Sequence, residues 1–422
     1  MEVMHPRCAG LDVHKDTVVA CVRLALGGQV KREAKTFETT TAGLLNLLEW
    51  LGEQGCTHVA MEATGVYWKP VWNILSDGNF ELVLANAAHI KNVPGRKTDV
   101  SDAAWISDLL AHGLIRSSFV PQQDQQQLRE LLRTRKQLIR QQSSHIQRLQ
   151  KTLQSANIKL DSFITDIVGK SGRAIISALI AGEANPTKLA ALADWRIKAS
   201  QQKLREALRG RTTHHHRFLL HLHLEHIKFA DEAIADIDRR VDALIAEMDK
   251  EVKVDQAPFQ SLIALLTTIP GIAPVAARAI LSEIGLDMTR FRTAGHLLSW
   301  AGLCPSNNES AGKRGSTRLR KGNNWLKALL VQCAWAAKRK KDSYFRAQFY
   351  RLSGRRGPKK AACAVAASIL TTVYHMLKNG TEFIDLGCSH FDQRSRDVKA
   401  KRLLAQLANL GFSAKLTPVS VS

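Results

Sequence analysis

The spacing of hydrophobic residues along this chain of 422 residues changes at Pro121. Before Pro121, short apolar runs alternate with segments whose apolar residues recur at helical spacing. After it, residues 121–257 carry almost no strand signal and few Gly or Pro. This change predicts an α/β domain followed by mainly helical ones, and the length also favours two or three domains.

The part before Pro121 predicts three strands, followed by helix, strand, helix, strand and helix. The predicted strands are Cys8–Val13, Thr17–Leu26, Gln29–Phe37, His58–Met61 and Glu81–Leu84, and a Gly27-Gly28 hairpin signal separates the second from the third. The predicted helices are Thr40–Gln54, Tyr67–Leu75 and Asp99–Ala111. This order is that of a ribonuclease-H-like fold, which we predict for residues 1–120.

Residues 121–257 predict a long helical arm. Four apolar residues recur every seven positions, namely Leu132, Ile139, Ile146 and Leu153. Arg135 and Gln142 stand where a second apolar column is expected, so the pattern does not predict a regular coiled coil. A second helix, at about Phe229–Met248, can return antiparallel. The arginines of the arm either touch a phosphate backbone or form a solvated face.

We assign residues 258–388 to a mainly helical C-terminal domain and residues 389–422 to a basic tail. The segment Leu266–Gly285 has a helix-hairpin-helix pattern, which fits a phosphate contact and a tight corner in a core about equally. Six histidines lie between positions 214 and 226. We favour a helix surface over a metal site for them, because no cysteine is near.

The net charge of +22 is distributed unevenly. Residues 1–113 hold ten Lys and Arg against thirteen Asp and Glu, whereas residues 310–360 hold sixteen against one. Aromatic residues interleave the basic ones there: Trp325, Trp335, Tyr344, Phe345, Phe349 and Tyr350. Cations that neutralise phosphates and rings that stack on bases together favour nucleic-acid binding over a solvated face.

Other composition features exclude several classes of protein. The start of the chain lacks the order of features found in a secretory signal. The most apolar segment, Ala361–Leu377, is interrupted by Ser, Thr, Tyr and His, so we expect no membrane span and no membrane partner. Seven cysteines without a CxxC pair indicate a reducing compartment. We therefore expect a cytoplasmic protein.

Four carboxylates stand at positions where the predicted topology can bring them together. Asp12 ends the first strand, Glu62 follows the fourth, and Asp99 and Asp102 lie three residues apart on one helix face. Oxygen ligands of this kind suit Mg²⁺ or Mn²⁺, and two such ions can hold a scissile phosphate. Each acid alone is better explained as a helix cap or a turn residue, but four of them at these positions in a basic protein favour a metal site.

The segment Ala301–Gly322 predicts a polar, basic loop. Three serines, Ser306, Ser310 and Ser316, lie near five cations that we take as nucleic-acid-binding residues: Lys313, Arg314, Arg318, Arg320 and Lys321. A cationic environment stabilises a phosphoryl transition state, but the loop contains no evident base to activate a serine. Spacing alone favours an ordinary surface loop.

Taken together, these segments resemble the DEDD-type insertion-sequence transposases, the bacterial recombinases guided by a bridge RNA. The resemblance covers roughly residues 7–113 and 262–377. It is carried by GLDVHKDT, VAMEATGVYW and RKTDVSDAAWI, and later by TTIPGIAPVAARAILSEIGLDMTRF and SWAGLCPSNNESAGKRGSTRLRKGNNWLKALLVQCAWAA.

The resemblance implies a RuvC-like domain whose acidic tetrad is Asp12, Glu62, Asp99 and Asp102, with Mg²⁺ bound. It also implies a serine nucleophile on the C-terminal domain. The family commonly has Ser-Gly in this loop, whereas here Ala311 separates Ser310 from Gly312, so Ser310 is our choice and Ser316 the reserve.

Further implications concern chemistry and partners. The serine would attack a DNA phosphodiester and form a covalent intermediate in a site composed of two subunits of a dimer or tetramer. A bridge RNA would pair with donor and target DNA. Two alternatives stay open: a structure-specific nuclease that uses water as nucleophile, and a non-catalytic nucleic-acid-binding protein on a degenerate nuclease fold.

Overall fold

A computed structural model describes residues 3–26, 29–63, 65–87, 90, 102–252, 257–305, 309–310, 313–314 and 318–414. Of residues 26, 309, 310, 313, 314 and 392–399 it describes the backbone alone. Backbone contacts divide the chain into two compact units, Met1–Pro121 and Gln122–Ser422. The N-terminal part is mixed α/β and the rest is mostly helical, as predicted.

The first unit is built on a five-stranded sheet. Its strands are β1 (Arg7–Val13), β2 (Thr17–Leu26), β3 (Gln29–Glu38), β4 (His58–Glu62) and β5 (Glu81–Ala85). They lie in the order β3-β2-β1-β4-β5, with β1 to β3 antiparallel and β4 and β5 parallel to β1. Its helices are Thr41–Glu53, Trp68–Leu75 and Asp102–Ala111. Each predicted strand is present.

The two faces of the sheet bury different residues of β1. Ala9, Leu11 and Val13 belong to a core that includes Leu47 and Trp50 of helix Thr41–Glu53. Cys8 belongs to a second core with Ile106 and Leu110 of helix Asp102–Ala111. Side chains alternate along a strand, so Cys8, Gly10 and Asp12 share the face covered by helix Asp102–Ala111.

The second unit begins with two long helices, Gln123–Ser155 and His214–Lys250, which we call the first and second arm helices. The second arm helix starts well before the predicted Phe229. The Arg135 guanidinium pairs with Asp238 at 2.6 and 2.9 Å, and the amide of Gln142 donates to Asp231. Residue numbers rise on one helix as they fall on the other, so the helices run antiparallel.

These pairs explain why the first arm helix has Arg135 and Gln142 where a coiled coil would have a second set of apolar residues. Of the heptad residues, Leu153 is buried, whereas Leu132, Ile139 and Ile146 are half-buried. The polar seam positions instead pair with carboxylates of the other arm helix. Three short helices, Lys170–Ile180, Pro186–Ala191 and Gln201–Ala207, pack at one end of the arm around a core that includes Leu149 and Leu220.

Helix Pro358–Asn379 packs against helices Phe259–Thr267, Ala294–Trp300, Asn324–Ala337 and Tyr344–Arg356. Helix Pro274–Ile284 packs on Phe259–Thr267 and Asn324–Ala337, and helix His390–Asn409 packs on Tyr344–Arg356. Helix Pro358–Asn379 has the length and apolar content of a membrane span. It nevertheless buries residues such as Ile369 and Tyr374 in the unit, and the Tyr374 hydroxyl donates to the Phe291 carbonyl at 2.9 Å. These contacts are those of a core helix.

Helix His390–Asn409 lies in the tail that the sequence left unassigned. The proposed boundaries at residues 257 and 388 remain predictions, as does the assignment of residues 389–422 to a tail.

Candidate active site

The ends of β1 and β4 bring Asp12 and Glu62 to one edge of the sheet. These parallel strands are in register, with Gly10 opposite Ala60 and Leu11 opposite Met61. Asp12 and Glu62 are the next residues of the two strands. They therefore stand side by side on the face covered by helix Asp102–Ala111.

Helix Asp102–Ala111 runs antiparallel to β1 across that face. The Cys8 thiol donates to the Ser107 carbonyl at 3.5 Å, and farther along β1 a Cβ on Gly10 would lie 2.2 Å from the Ala103 carbonyl oxygen. The first turn of the helix therefore lies towards the Asp12 end of β1. Asp102 is in that turn.

A buried ion pair holds this helix on the sheet. The Arg23 Nε of β2 donates to Asp108 at 2.9 Å, and Arg32 of β3 donates to the same carboxylate at 2.8 Å. Arg23 is buried, so this contact orders the helix more firmly than an exposed pair would. The position of Asp102 thus depends on three strands.

Asp12 has a histidine partner. Its Oδ2 lies 3.2 Å from Nε2 of His14, and the Asp12 side chain is 25% exposed against 59% for His14. Asp12 is therefore reachable from solvent. His14 is part of the GLDVHKDT motif, but the sequence alone indicated no role for it.

The metal prediction rests on four acids, of which three can be located. Asp12, Glu62 and Asp102 belong to the elements that meet at this edge, whereas Asp99 lies outside the described residues. Within the described ranges, no three His, Cys, Asp or Glu side chains stand close enough together to hold a metal ion. The donor chemistry of the three carboxylates is oxygen-only, which fits Mg²⁺ or Mn²⁺.

The serine loop is closed at its base. Ser310 pairs with Lys313 in a two-residue antiparallel ladder, Glu309–Ser310 with Lys313–Arg314. Below it, Pro305 bridges to Leu319, and the Arg320 amide donates to the Cys304 carbonyl at 3.1 Å. Ser310 therefore sits on a hairpin-like loop with a defined stem. Ser306 and Ser316 lie outside the described residues.

Two glycines allow the strands of this stem to touch. A Cβ on Gly322 would stand 2.4 Å from the amide nitrogen of Gly302, and one on Gly302 would stand 2.9 Å from the Arg320 carbonyl oxygen. Gly302 also has a φ of +70°, which disfavours other residues. The stem therefore needs both glycines.

The residue that caps the helix after the loop, Asn323, contacts the buried carboxylate of Glu283, which the sequence did not identify as important. The Asn323 side chain accepts from the amides of Trp325 and Leu326, and its own Nδ2 donates to Oε2 of Glu283 at 2.6 Å. Glu283 is in helix Pro274–Ile284. The signal that could have identified it is that Glu283 is the single acid of helix Pro274–Ile284 and stands among apolar residues at its end.

The predicted nucleic-acid-binding residues divide into two groups. Arg318, Arg320 and Lys321 are exposed beside the stem, whereas only the backbone of Lys313 and Arg314 is described. Among the interleaved aromatics, Phe345 and Phe349 are core residues, and Trp335 packs on Phe349 with ring centroids 5.3 Å apart. The Phe345 and Phe349 rings are unavailable for base stacking because tertiary packing covers them, whereas Trp335 is half-buried.

The helix-hairpin-helix segment forms two helices, Phe259–Thr267 and Pro274–Ile284. Gly271 of the intervening turn has a φ of +88°, and a Cβ there would be 2.4 Å from the Cys333 carbonyl oxygen. The turn therefore packs against helix Asn324–Ala337. This contact favours the tight-corner interpretation, and a phosphate contact stays a prediction.

Part of the histidine cluster lies between the arm helices. Nδ1 of His145 is 3.2 Å from Nδ1 of His223, and the rings of His145 and His226 are 4.4 Å apart. Burial and the neighbouring imidazoles lower the pKa values of His145 and His223. His145, on the other arm helix, was not part of the sequence prediction.

Two segments of this chain, one in each half, are similar in sequence to known proteins. Residues 9–158 match the family model of the IS110 DEDD transposases, described as a transposase, and residues 263–350 match the transposase model of the IS116/IS110/IS902 family. A Sinorhizobium fredii protein named as transposase y4qE is 23% identical over 379 residues, covering 87% of this chain and 81% of its own.

The uncharacterized 43.6 kDa protein of insertion element IS110 from Streptomyces coelicolor is 32% identical over 122 residues, which is 28% of this chain and 30% of that protein. The two family matches include the strands of the acidic edge and the serine loop. This chain belongs to the IS110 family of DEDD transposases.

Proposed function

We propose that this transposase recombines DNA by attack of Ser310 on a phosphodiester, assisted by Mg²⁺ at the acidic edge and directed by a guide RNA. The observation that carries the proposal is the shared position of Asp12 and Glu62 at adjacent ends of β1 and β4. The first unit then has the ribonuclease-H-like, RuvC-like fold, which its strand order supports.

In this proposal Asp12, Glu62, Asp99 and Asp102 would close around the metal when it binds, because the three described acids do not stand close enough to hold an ion by themselves. A bound Mg²⁺ would offset the negative charge of the phosphate and of the clustered carboxylates. The register of β1 and β4 positions Asp12 and Glu62, and the buried contact of Arg23 with Asp108 holds the helix that carries Asp102. Mn²⁺ would serve in the same way because it accepts the same oxygen ligands.

Ser310 is the nucleophile in this proposal. Its Oγ loses a proton and bonds to phosphorus, while one bridging P–O bond breaks and the freed sugar hydroxyl takes up a proton. Attack by the hydroxyl of a second strand then releases the serine and joins the strands. The closed stem supports this role because it limits the positions that Ser310 can adopt.

The basic residues of the loop neutralise the DNA backbone. Arg318, Arg320 and Lys321 are exposed next to the stem, and Lys313 and Arg314 continue the series on the ladder. Such contacts position DNA without reading its sequence. The choice of DNA sequence is therefore left to the guide RNA.

We also propose that the protein acts as a cytoplasmic dimer or tetramer, in which the acidic domain of one subunit meets the serine domain of another.

The test is a strand-exchange reaction on DNA carrying the element's joined ends and a target, with flanking element RNA and Mg²⁺. Products are separated on a denaturing gel. We expect a protein–DNA adduct that disappears in Ser310→Ala and persists in Ser316→Ala. Asp12→Asn should abolish cleavage, whereas Asp16→Asn, an exposed acid in the following turn, should not.

Two outcomes would contradict the proposal. Cleavage without an adduct that is unchanged in Ser310→Ala but lost in Asp12→Asn indicates a nuclease that uses water. Binding of DNA without cleavage, equal in wild type and Asp12→Asn, indicates a non-catalytic protein. Omission of the RNA tests the guide, because the proposal requires that exchange then fails.

A further inference from the structure

A cavity of about 280 Å³ lies between the first arm helix, helix Pro274–Ile284 and helix Asn324–Ala337. Its inner wall is apolar and is formed by residues such as Leu132, Ile139, Ala276, Ala279 and Leu329. Trp325 forms one side. A cavity at the lower end of the usual ligand range, with an indole in its wall, suits one planar group better than a large ligand.

The rim of the cavity is cationic. Arg133 and Arg135 are paired with Glu283 and Asp238, respectively. Lys136 and Arg140 also line the cavity, and neither has a carboxylate partner among the residues that the structure describes. The Arg140 guanidinium instead lies over the Trp325 ring, with its carbon 5.3 Å from the ring centroid. Two cations therefore remain available to an anionic ligand.

An apolar cavity with an aromatic wall and two uncompensated cations at its mouth matches one nucleotide: a planar base inside and phosphates at the rim. Each base has a ring face to place against an indole, so such a site accepts different bases. A purely apolar ligand would leave Lys136 and Arg140 without a function, and a bare phosphate would leave the apolar wall unused.

Glu283 connects the cavity to the end of the serine loop by a hydrogen bond. Glu283 lines the cavity, and its carboxylate accepts from Asn323, which caps the helix that carries Trp325. That helix follows the stem glycine Gly322 directly. The serine loop and one wall of the cavity therefore belong to one continuous segment of the chain.

We infer that the cavity formed by the first arm helix, helix Pro274–Ile284 and helix Asn324–Ala337 binds an unpaired DNA nucleotide, with its base beside Trp325 and its phosphates on Lys136 and Arg140. This inference rests on the proposed function, because it takes the strand to be the one attacked by Ser310. An extruded base near the cut would hold the strand in one register along the loop.

The probe is a short single-stranded oligodeoxynucleotide with one 5-iododeoxyuridine, crosslinked to the full-length protein by ultraviolet light. Mass spectrometry of the crosslinked peptide should identify Trp325. A crosslink confined to other residues overturns the inference. So does a crosslink at Trp325 with the matching 5-iodouridine RNA but none with the DNA, because the cavity then belongs to RNA.

Affinity measured by fluorescence anisotropy separates the two parts of the site. Trp325→Leu should weaken binding of the same oligonucleotide about tenfold, the size expected for one lost base stack, without changing the salt dependence. Ala276→Phe fills the cavity without removing the indole and should have the same effect. Unchanged affinity in both variants overturns the inference, provided that their thermal unfolding matches that of the wild type.

The rim cations are tested by the salt dependence of binding. Lys136→Gln and Arg140→Gln should each lower the slope of log affinity against log salt by about 0.7, the value for one phosphate contact on a single strand. Trp195 and Arg196 provide a matched control, since this exposed pair stacks at 5.4 Å elsewhere in the same unit. Trp195→Leu and Arg196→Gln should leave affinity and slope unchanged.

These measurements need no catalysis, so the two proposals can fail separately. Asp12→Asn should lose cleavage and keep the crosslink at Trp325. Strand exchange with a normal serine adduct but no crosslink at Trp325 overturns the cavity assignment and leaves the proposed function intact. A crosslink without any adduct supports the cavity and contradicts serine chemistry.

Discussion

Arg133 and Glu283 form a two-point ion pair between the first arm helix and helix Pro274–Ile284. Nε of Arg133 lies 2.8 Å from Oε1 of Glu283, and Nη2 lies 2.8 Å from Oε2. The Glu283 side chain is only 5% exposed. Asn323 donates to the same carboxylate, so the helix after the serine loop is attached to the arm through Glu283.

A second arginine, Arg129, shares this site. Arg129 donates to the Glu283 carbonyl at 2.6 Å, and its Nε lies 3.4 Å from the carboxylate. Burial lowers the pKa of Arg129 to about 10, while the charge of Glu283 acts in the opposite direction. Arg129 is therefore still protonated near neutral pH, and the two arginines depend on Glu283 for charge compensation.

We predict that Glu283→Gln destabilises the second unit by about 3 to 5 kcal/mol, because it leaves buried guanidinium groups without a counter-charge. Urea unfolding measured by circular dichroism provides the free energy. Glu247→Gln is the control: Glu247 pairs with Arg240 at the surface, and we expect a loss below about 1 kcal/mol. Equal losses in the two variants would contradict this account of Glu283.

Gly10 sets the distance between β1 and helix Asp102–Ala111. A Cβ at this position would stand 2.2 Å from one backbone atom and 2.4 Å from another, those of Ala103 and Ser107. Gly10→Ala must therefore move the helix that carries Asp102. We expect a loss of stability of about 1 to 3 kcal/mol and a loss of DNA cleavage.

Gly52 serves as the control for Gly10. It lies inside helix Thr41–Glu53, and a methyl group added there would have no atom within 4 Å. Gly52→Ala should raise stability by about 0.5 to 1 kcal/mol because alanine favours the helix. Thermal unfolding measures both changes, and stabilisation by Gly10→Ala would contradict the close contact.

Gly322 determines the geometry of the serine-loop stem. An added methyl group would displace Gly302, whose amide would lie 2.4 Å away, and would shift the loop by a fraction of an ångström or more. Such misplacement costs up to about 100-fold in rate. We expect Gly322→Ala to lower the yield of protein–DNA adduct at least tenfold on that basis, and to cost about 1 to 3 kcal/mol of stability because the methyl group meets backbone atoms.

Gly354 provides the comparison for that variant. It lies in helix Tyr344–Arg356, with open space around it. Gly354→Ala should leave adduct formation unchanged. If Gly322→Ala formed adduct at the wild-type rate, the stem would not control the position of Ser310.

The arm should lose stability in mild acid. Burial is the largest cause that lowers the pKa values of His145 and His223; His226 and Arg148 lower both further, and His145 also lowers that of His223. The unfolded chain therefore takes up protons at these residues before the folded chain does. Their contribution is fully present above about pH 6.5, the unfolded value, and declines as the pH falls through the lower folded values.

The measurement is the urea midpoint between pH 7.5 and 5. The double variant His145→Gln, His223→Gln should show a weaker decline than the wild type. His215→Gln, an exposed histidine near the start of the second arm helix, should show the wild-type decline. A wild-type midpoint that rises as the pH falls would contradict the direction of both pKa shifts.

Local patterns were sufficient to predict the elements of the sheet and the positions of the acids. β1 to β5 were recognisable because apolar runs and turn residues are properties of adjacent positions. The placement of Asp12 and Glu62 at strand ends followed from the same runs. The antiparallel return of the arm was also predictable, although the second arm helix starts at His214, where Thr213 caps it.

Other features depended on residues far apart in the sequence. The roles of Arg135 and Gln142 became clear only with Asp238 and Asp231 opposite them, and that of Glu283 only with Arg133 and Asn323 around it. Charge compensation inside a protein joins groups that the fold brings together, and no local pattern records it.

The strand and helix order, the excess of positive charge and the positions of Asp12 and Glu62 at strand ends follow from periodicity and composition, whereas Ser310 became a candidate only through the resemblance to a family. Only the tertiary structure decided which aromatic rings are core residues, how the loop stem closes at Gly302 and Gly322, and that a cavity opens beside Trp325. The physical reason is that burial and close approach are set by packing between distant segments.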